Sequence, residues 1–282
     1  MSQCGKRTER MQSVIKRAIG ALGLVVVAST TAAEAQPMGG EAHLSIESTT
    51  DLSSMHAGET GLLAIDIIVQ EGWHTYWPGI SDTGYGISFD IDTPDSVELK
   101  DPIWPSPERY LQRGGILDHT YEGTQTVLVP FVIRENTPDS VVVFTIKANY
   151  LVCDQVCLPG KGSASTSLHV VDDASEQVQT SRYDELRAQL EQRPQAFNAK
   201  DAAVRLQWIS KAAAIMFRDA TRIEFYPDNE CSELESVIED GQAEGNRLEV
   251  RFTESENKVL SGRLRVTTPE GVVHYDINEH AL

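Results

Sequence analysis

The sequence predicts an all-β protein in which two β-sandwich domains are joined by a helical linker and preceded by an N-terminal signal peptide. Short β-branched runs alternate with glycine and proline turns in two separate stretches, which is typical of sandwiches. A polar stretch with helical spacing lies between them. The predicted ranges are residues 1–35 for the signal peptide, 36–172 for the first sandwich, 173–195 for the linker and 196–282 for a second, smaller sandwich.

The first 35 residues have the three parts of an export signal. Five basic residues precede a short apolar run from Ala18 to Ala32. Ala33-Glu34-Ala35 then places small residues where a signal peptidase reads the chain, which predicts cleavage before Gln36. The apolar run is shorter than the ~20 residues that span a bilayer. We therefore expect an exported, soluble mature protein in a thiol-oxidising compartment.

The chain is acidic, which limits the partners it can have. Its formal net charge is −18, and removal of the five basic and two acidic residues of the signal peptide changes the net charge to −21. A surface of this sign is repelled by the phosphates of nucleic acids and by anionic membranes. We therefore expect no nucleic-acid partner.

The stretch from residue 41 to residue 172 has a strand-and-turn pattern. Turn signals such as His56-Ala57-Gly58 and Trp77-Pro78-Gly79 separate short runs of alternating or β-branched residues. Seven short strands of this kind favour a sandwich of the immunoglobulin type. The predicted strands are His43–Ser48, Gly61–Gln70, Gly72–Trp77, Gly86–Ile91, Thr126–Ile133, Val141–Tyr150 and Ser165–Val171.

The linker and the second sandwich follow. Tyr183, Leu186 and Leu190 fall at helical spacing, and Pro194 ends the predicted helix. Cys231 lies beyond it in an acidic segment that disfavours a thiolate, so we expect this cysteine to be dispensable for any thiol chemistry. The predicted strands of the second sandwich are Ala203–Ile209, Arg222–Tyr226, Arg247–Phe252, Arg263–Thr267 and Val272–Ile277.

The motif Cys153-Asp154-Gln155-Val156-Cys157 is the main candidate for chemistry. It follows an apolar β-like run and precedes a Pro-Gly turn. Four residues of straight strand span ~13 Å, whereas a disulfide needs Cα atoms within ~7 Å, so a bridge here requires a sharp bend. A loop this short adds little stability, and an accessible bridge of this kind suits a redox relay.

Two other interpretations of the cysteine pair remain open. Cys153 and Cys157 can be a passive turn disulfide, or two inert thiols, in a redox-inert interaction module. They can also bind Cu(I) as thiolates, because soft sulfur ligands select this ion. The candidate third ligands are then His74, His119 and Met55, and nothing in the spacing selects one of them.

A cluster of aromatic residues and a long connection are further candidates. Trp73, His74, Tyr76 and Trp77 form the cluster, for which core packing is one interpretation. The other is that His74 or Tyr76 lies beside the dithiol, where it shields the sulfurs or tunes thiolate formation. The stretch Arg109-Tyr110-Leu111-Gln112-Arg113-Gly114-Gly115 reads as part of a strand-poor loop, and such loops are often functional.

Three segments resemble one known family. Ala148 to Pro159, which contains both cysteines, is similar to the redox segment of the N-terminal, periplasm-facing domain of DsbD and of its ScsB-type relatives. The segments Glu71 to Gly79 and Tyr121-Glu122-Gly123 resemble other strands of that domain. The resemblance covers residues 41–172, and the second sandwich is more loosely similar to a second β domain of ScsB-type proteins.

The resemblance implies a periplasmic thiol–disulfide interchange protein with an immunoglobulin-like fold and no cofactor. Cys153 and Cys157 match the redox pair, which implies that they take electrons from a membrane-embedded thiol reductase and pass them to periplasmic thioredoxin-like acceptors. In the family a mobile loop caps the cysteines, and the resemblance implies that the stretch around Tyr110 is its equivalent; the alternative is a plain surface connection. The sequence departs from the family in its shorter cysteine spacing and in lacking the usual membrane and thioredoxin-like domains, so we expect the electron donor to be a separate protein.

Overall fold

The computed structural model describes residues 39–254 and 256–280, and this part of the chain is mostly β-structure with an immunoglobulin-like fold. The predicted signal peptide, residues 1–35, lies outside the described residues. Within the described part no helix is long and apolar enough to cross a membrane. The two α-helices, α1 and α2, are Tyr183–Glu191 and Val237–Asp240, and two short 3₁₀ turns are Gly40–Ala42 and Ala174–Glu176.

Strands β1 to β12, here called the N-terminal half, form two sheets around one core. The first sheet has the order β1-β3-β9-β6 and the second the order β12-β2-β11-β10-β4-β8-β7, with β5 paired to β10. Phe131 of β9 and Phe144 of β10 meet between the sheets, with ring centroids 4.8 Å apart. The strands are Leu44–Thr50, Leu52–His56, Thr60–Val69, His74–Tyr76, Ser88–Asp92, Val97–Leu99, Glu108–Gln112, Ile116–Tyr121, Thr124–Ile133, Val141–Cys153, Cys157–Val171 and Val178–Gln179.

Strands β13 to β20, here called the C-terminal half, form two more sheets around a second core. Their orders are β13-β20-β19-β16-β17 and β14-β15-β18. Phe217 of β15 and Tyr275 of β20 join these sheets, with ring centroids 5.1 Å apart. The strands are Gln195–Ala196, Val204–Ile209, Ala212–Phe217, Arg222–Pro227, Gln242–Glu244, Arg247–Arg251, Val259–Thr268 and Gly271–His280.

Helix α1 is shorter than the predicted helix and packs on the N-terminal half. Leu186 is fully buried on the outer side of the first sheet, against Leu62, Ala64 and Leu128. Arg187 forms an ion pair with Asp51, whose carboxylate is fully buried, and Arg182 forms one with Asp66. Residues 173–182 instead contain a 3₁₀ turn and strand β12, because Val178 pairs with β2. The domain boundary predicted at residues 173–195 stays a prediction.

Each half contributes a side chain to the core of the other half where the two meet. Tyr226 of β16 is fully buried in the core of the N-terminal half, and its ring meets that of His119 at 5.1 Å. Ile80 packs against the core of the C-terminal half, and its backbone N–H donates to the carbonyl of Pro227 at 2.9 Å. Each half therefore completes the core of the other at this contact.

The predicted strands match most of the observed ones but omit several. Ala212–Phe217 is the middle strand of its sheet and is buried on nearly every residue, so it lacks the alternation that reveals a strand. Other omitted strands are Leu52–His56, Val97–Leu99, Glu108–Gln112, Ile116–Tyr121, Val178–Gln179, Gln195–Ala196 and Gln242–Glu244.

Candidate functional site

The cysteine pair lies at the tip of the longest hairpin in the described structure. Strands β10 and β11 are in register along their length, up to the pair Cys153 and Cys157. Asp154, Gln155 and Val156 form the turn, which brings the two Cα atoms to 4.2 Å and allows the disulfide. The sharp bend that a bridge at this spacing requires is therefore present.

The two sulfur-bearing residues differ in exposure. Cys153 is 1% exposed and lies on the last buried position of β10, whereas Cys157 is exposed at the start of β11. Val156, in the turn between them, is 61% exposed. An incoming thiol can therefore reach Cys157, while Cys153 is covered.

Tyr76 contacts both sulfurs from the neighbouring strand β4. Its hydroxyl donates to Sγ of Cys153 at 3.2 Å and lies 3.7 Å from Sγ of Cys157. Burial raises the pKa of Tyr76 above its usual value of 10.0. The phenol therefore keeps its proton at neutral pH and acts as a neutral hydrogen-bond donor to sulfur.

His74 lies directly opposite Cys153 in the pairing of β4 with β10. Its side chain is 5% exposed, and its Nε2 atom has no hydrogen-bond partner. Burial lowers the pKa of His74 below 6.5, so the ring is neutral at neutral pH. The ring meets that of Tyr76 edge-on at 5.6 Å.

Tyr110 closes the other side of His74. Its ring lies 4.8 Å from the His74 ring, and its side chain remains 39% exposed. The prediction that this stretch is a strand-poor loop is wrong: Tyr110 belongs to β7, which pairs with β8. Strand β7 lacks apolar alternation because it is a sheet edge, where exposed polar residues are usual.

The remaining aromatic residues of the predicted cluster lie away from the sulfurs. Trp73 stacks on His43 with ring centroids 3.7 Å apart, and Trp77 lies in the core. Side chains alternate along a strand, so only His74 and Tyr76 of this cluster reach the dithiol.

The loop between β4 and β5 packs over the ring of Tyr76, which contacts the dithiol, and it was not among the predicted site residues. Gly84 has φ +74°, and a Cβ there would lie 2.6 Å from the Tyr76 ring, so only glycine lets the loop approach. Tyr85 donates to the carbonyl of Tyr150 at 3.2 Å. Thr83 is held by the buried carboxylate of Asp118. The run Thr83-Gly84-Tyr85-Gly86 is the signal that could have drawn attention to it.

The structure narrows the candidate ligands for a metal ion. Met55 is fully buried in the core, and the ring of His119 lies between Trp77 and Tyr226 with Nδ1 bonded to the carbonyl of Ile80. Of the three candidate third ligands for Cu(I), only His74 is next to the cysteines. No group of three His, Cys, Asp or Glu residues in residues 39–254 and 256–280 could hold a metal ion.

Cys231 is buried and separate from the pair. It is 9% exposed in the core of the C-terminal half. Burial is the main reason that its pKa is raised to about 11, and the nearby Asp228 carboxylate adds to this. The thiolate is disfavoured as expected, although burial has a larger effect than acidic neighbours.

Comparison with known proteins shows which protein family the segment around the dithiol matches. Residues 42–168 match the family model described as thiol:disulfide interchange protein DsbD, N-terminal. The chain is also similar to the N-terminal periplasmic domain of ScsB from Proteus mirabilis, with 14% identity and a TM-score of 0.50, over 81% of this chain and 91% of that chain. At this identity the similarity shows a shared fold.

Other solved structures are less similar. The major pilin subunit BcpA of Bacillus cereus has 10% identity and a TM-score of 0.29, over 82% of this chain and 55% of that chain. The E. coli chaperone DraB has 12% identity and a TM-score of 0.22, over 83% and 98%. No curated protein sequence matches this chain.

Proposed function

Because residues 42–168 belong to the thiol:disulfide interchange DsbD N-terminal family, we propose that this chain relays electrons between proteins through Cys153 and Cys157. One observation carries the proposal: the disulfide is at an exposed hairpin tip, with Cys157 exposed and Cys153 buried against a hydroxyl donor. A bridge that only held the turn would gain little from this arrangement, because so short a loop adds little stability.

In the first half of the cycle the disulfide accepts two electrons. A thiolate of the donor attacks Sγ of Cys157, the exposed cysteine, and the electron pair of the broken S–S bond leaves on Cys153. The donor's second thiolate then attacks the donor sulfur that is bonded to Cys157 in the mixed disulfide, and Cys157 leaves as a thiolate. The donor ends as a disulfide, and this chain takes up two protons from solvent to become a dithiol.

In the second half of the cycle the dithiol reduces an acceptor. The thiolate of Cys157 attacks the acceptor disulfide and forms a mixed disulfide, and one acceptor sulfur leaves as a thiolate. The thiolate of Cys153 then attacks Sγ of Cys157, which restores the internal disulfide and releases the acceptor's second thiolate. The acceptor gains the two electrons that the donor supplied.

The neighbouring side chains act on the buried sulfur. The Tyr76 hydroxyl stabilises the Cys153 thiolate whenever it leaves or attacks, because a hydrogen bond to a charged acceptor is stronger than one to a neutral acceptor. His74 and Tyr110 shield this side of the dithiol from solvent and from stray oxidants.

The partners follow from the family and from the predicted export signal. The electron donor would be a membrane-embedded thiol reductase, and the acceptors would be thioredoxin-like proteins of the periplasm. The proposed site of action is therefore the periplasm, after removal of residues 1–35. The net charge, −18 for the full chain and −21 after this removal, gives no attraction to nucleic acids.

Trapping of mixed disulfides tests this proposal. In a Cys153→Ser variant the exposed Cys157 can still attack a partner, but nothing resolves the adduct, so partner-linked species should accumulate. A Cys157→Ser variant should trap far less, and Cys231→Ala is the control that leaves the pair intact. The pair should also interconvert with its dithiol form in glutathione buffers, as read by mass shifts after alkylation. A bridge that stays closed far below the glutathione range would refute the relay and identify a structural disulfide.

A further inference from the structure

Strand β7 covers the buried side of the dithiol through a chain of two contacts. The Tyr110 ring lies on the His74 ring at 4.8 Å. His74 is the cross-strand neighbour of Cys153, and both side chains are almost completely buried. The burial of Cys153 on this side therefore depends on where β7 is held.

One side of β7 pairs with β8, and this strand is the last in its sheet. Edge strands are held less firmly than central ones because half of their backbone groups lack a strand partner. Here the C-terminal half supplies the missing support. Glu108 pairs with Arg265 at 2.7 Å on the surface, and Arg109 reaches into the C-terminal half.

Arg109 makes the main connection. Its guanidinium donates to four backbone carbonyls of the C-terminal half at distances of 3.0–3.4 Å, and none of these acceptors is a carboxylate. The fork of guanidinium donors can satisfy several carbonyls at once, which the compact ammonium of lysine cannot do to the same extent. The four acceptors belong to Phe225, Val237, Ile238 and Gly241.

The position of these acceptors explains why an arginine is held there. Val237 and Ile238 lie in α2, and Gly241 caps its C-terminal end. The last carbonyls of a helix have no partners within the helix and favour a cation. Arg109 therefore stabilises the end of α2, and α2 in turn fixes the residue next to Tyr110.

We propose that Arg109 is a positioning residue through which the C-terminal half holds Tyr110 over His74 and so controls access to the sulfur of Cys153. The inference rests on the proposed function for its biological meaning. It gives the C-terminal half a role in that function: it supports the covering strand of the redox site. Loss of the anchor frees β7 and exposes Cys153.

The test measures the covering directly. In a reduced Cys157→Ser protein, the rate at which iodoacetamide labels Cys153 is read by peptide mass spectrometry. Arg109→Met should raise this rate on the order of tenfold, because a hydrogen-bonded anchor of the covering strand is lost. Arg109→Lys should give a smaller increase. Arg263→Met is the matched control, since Arg263 also crosses between the halves, to the carbonyl of Trp104, and should change the rate less than about twofold.

A double mutant separates positioning from general loosening. Tyr110→Ala should raise the labelling rate about as much as Arg109→Met, and the double variant should label no faster than Tyr110→Ala alone. An unchanged rate in Arg109→Met would overturn the inference. So would a further increase of the same factor in the Tyr110→Ala background, because Arg109 would then act by opening the whole molecule.

A second perturbation comes from the C-terminal half in case Arg109→Met does not fold. A methyl group in Gly241→Ala would lie 2.3 Å from Nη1 of Arg109 and 2.6 Å from the carbonyl oxygen of Val237, so it displaces the guanidinium without altering β7. It should raise labelling of Cys153, and an unchanged rate would contradict the inference. The labelling rate reports how well Cys153 is covered and does not depend on disulfide exchange. A wild-type cysteine pair that never interconverts between disulfide and dithiol would therefore refute only the proposed function.

Discussion

Removal of one hydroxyl group beside the dithiol should weaken its chemistry while leaving the fold intact. In a Tyr76→Phe variant the ring stays in place and only the hydroxyl is lost, which donates to Sγ of Cys153 at 3.2 Å. Tyr76 and Cys153 are each 1% exposed, so water has little access to the place that the hydroxyl leaves. The thiolate of Cys153 should therefore be harder to form.

The size of the effect follows from the strength of the lost bond. A hydrogen bond to a charged group contributes about 1.5–3 kcal/mol, and one to a neutral group about 0.5–1.5 kcal/mol. The thiolate therefore loses roughly 1–1.5 kcal/mol more than the thiol does. This difference reduces the ionised fraction of Cys153 at a given pH roughly tenfold, since about 1.4 kcal/mol corresponds to a factor of ten.

The assay follows alkylation of Cys153 as a function of pH in the reduced Cys157→Ser protein. The midpoint of the profile should move upward by about one pH unit in Tyr76→Phe. Tyr85→Phe is the matched control, because the Tyr85 hydroxyl donates to the backbone carbonyl of Tyr150 and not to sulfur. Its profile should be that of the parent protein.

Two results would refute this reasoning. If Tyr76→Phe is folded and its profile is unchanged, the hydroxyl does not stabilise the thiolate. If Tyr85→Phe shifts the profile equally, the effect comes from disturbance of the loop and not from the contact with sulfur.

Three further predictions concern other buried groups and their effects on stability or on disulfide exchange. Burial lowers the pKa of His119 to about 4, so the unfolded chain binds this proton first as the pH falls from 6.5 to 4. Urea unfolding at pH 7 and at pH 4.5 should show a loss of stability of which His119 contributes up to about 3 kcal/mol; an equal loss in His119→Asn would contradict this. Because the pKa of Cys231 is about 11, Cys231→Ala should keep wild-type rates of disulfide exchange, and a large loss would refute a two-thiol site. The free energy of unfolding in urea should be about 3–5 kcal/mol higher for a fragment of residues 36–194 than for one of residues 36–174. The shorter fragment lacks Arg187, which forms an ion pair with the fully buried carboxylate of Asp51. Equal unfolding midpoints would show that helix α1 adds no stability.

The sequence alone was enough to identify strand β10 and the cysteine pair at its end, but not the hairpin, because the predicted turn at Leu158 to Gly162 lies within β11. Strand β10 alternates between buried and exposed side chains along most of its length, and this pattern is encoded in consecutive residues. The bend between Cys153 and Cys157 followed from the reach of the chain and the geometry of a disulfide. The motif around the pair was also sufficient to indicate the family.

The asymmetry of the site was decided by the tertiary structure. The sequence could name His74 and Tyr76 as candidates, but their position beside Cys153 depends on the register of β4 with β10, between residues 77 apart in the case of Tyr76. Which sulfur is exposed depends on the covering by β7 and by the loop around Gly84. The only local signal of either covering is the glycine-containing run Thr83-Gly84-Tyr85-Gly86 in the loop, and β7 has none.

The strand that carries Tyr110 shows the physical reason most clearly. Glu108–Gln112 has no apolar alternation, because its stability comes from pairing with β8 and from carbonyls that lie 116 to 132 residues further along the chain. Periodicity reveals an element when its own side chains form the buried face. An edge strand that is anchored by contacts with distant residues leaves no such pattern. Its place over the dithiol is therefore determined only when the two halves of the chain come together.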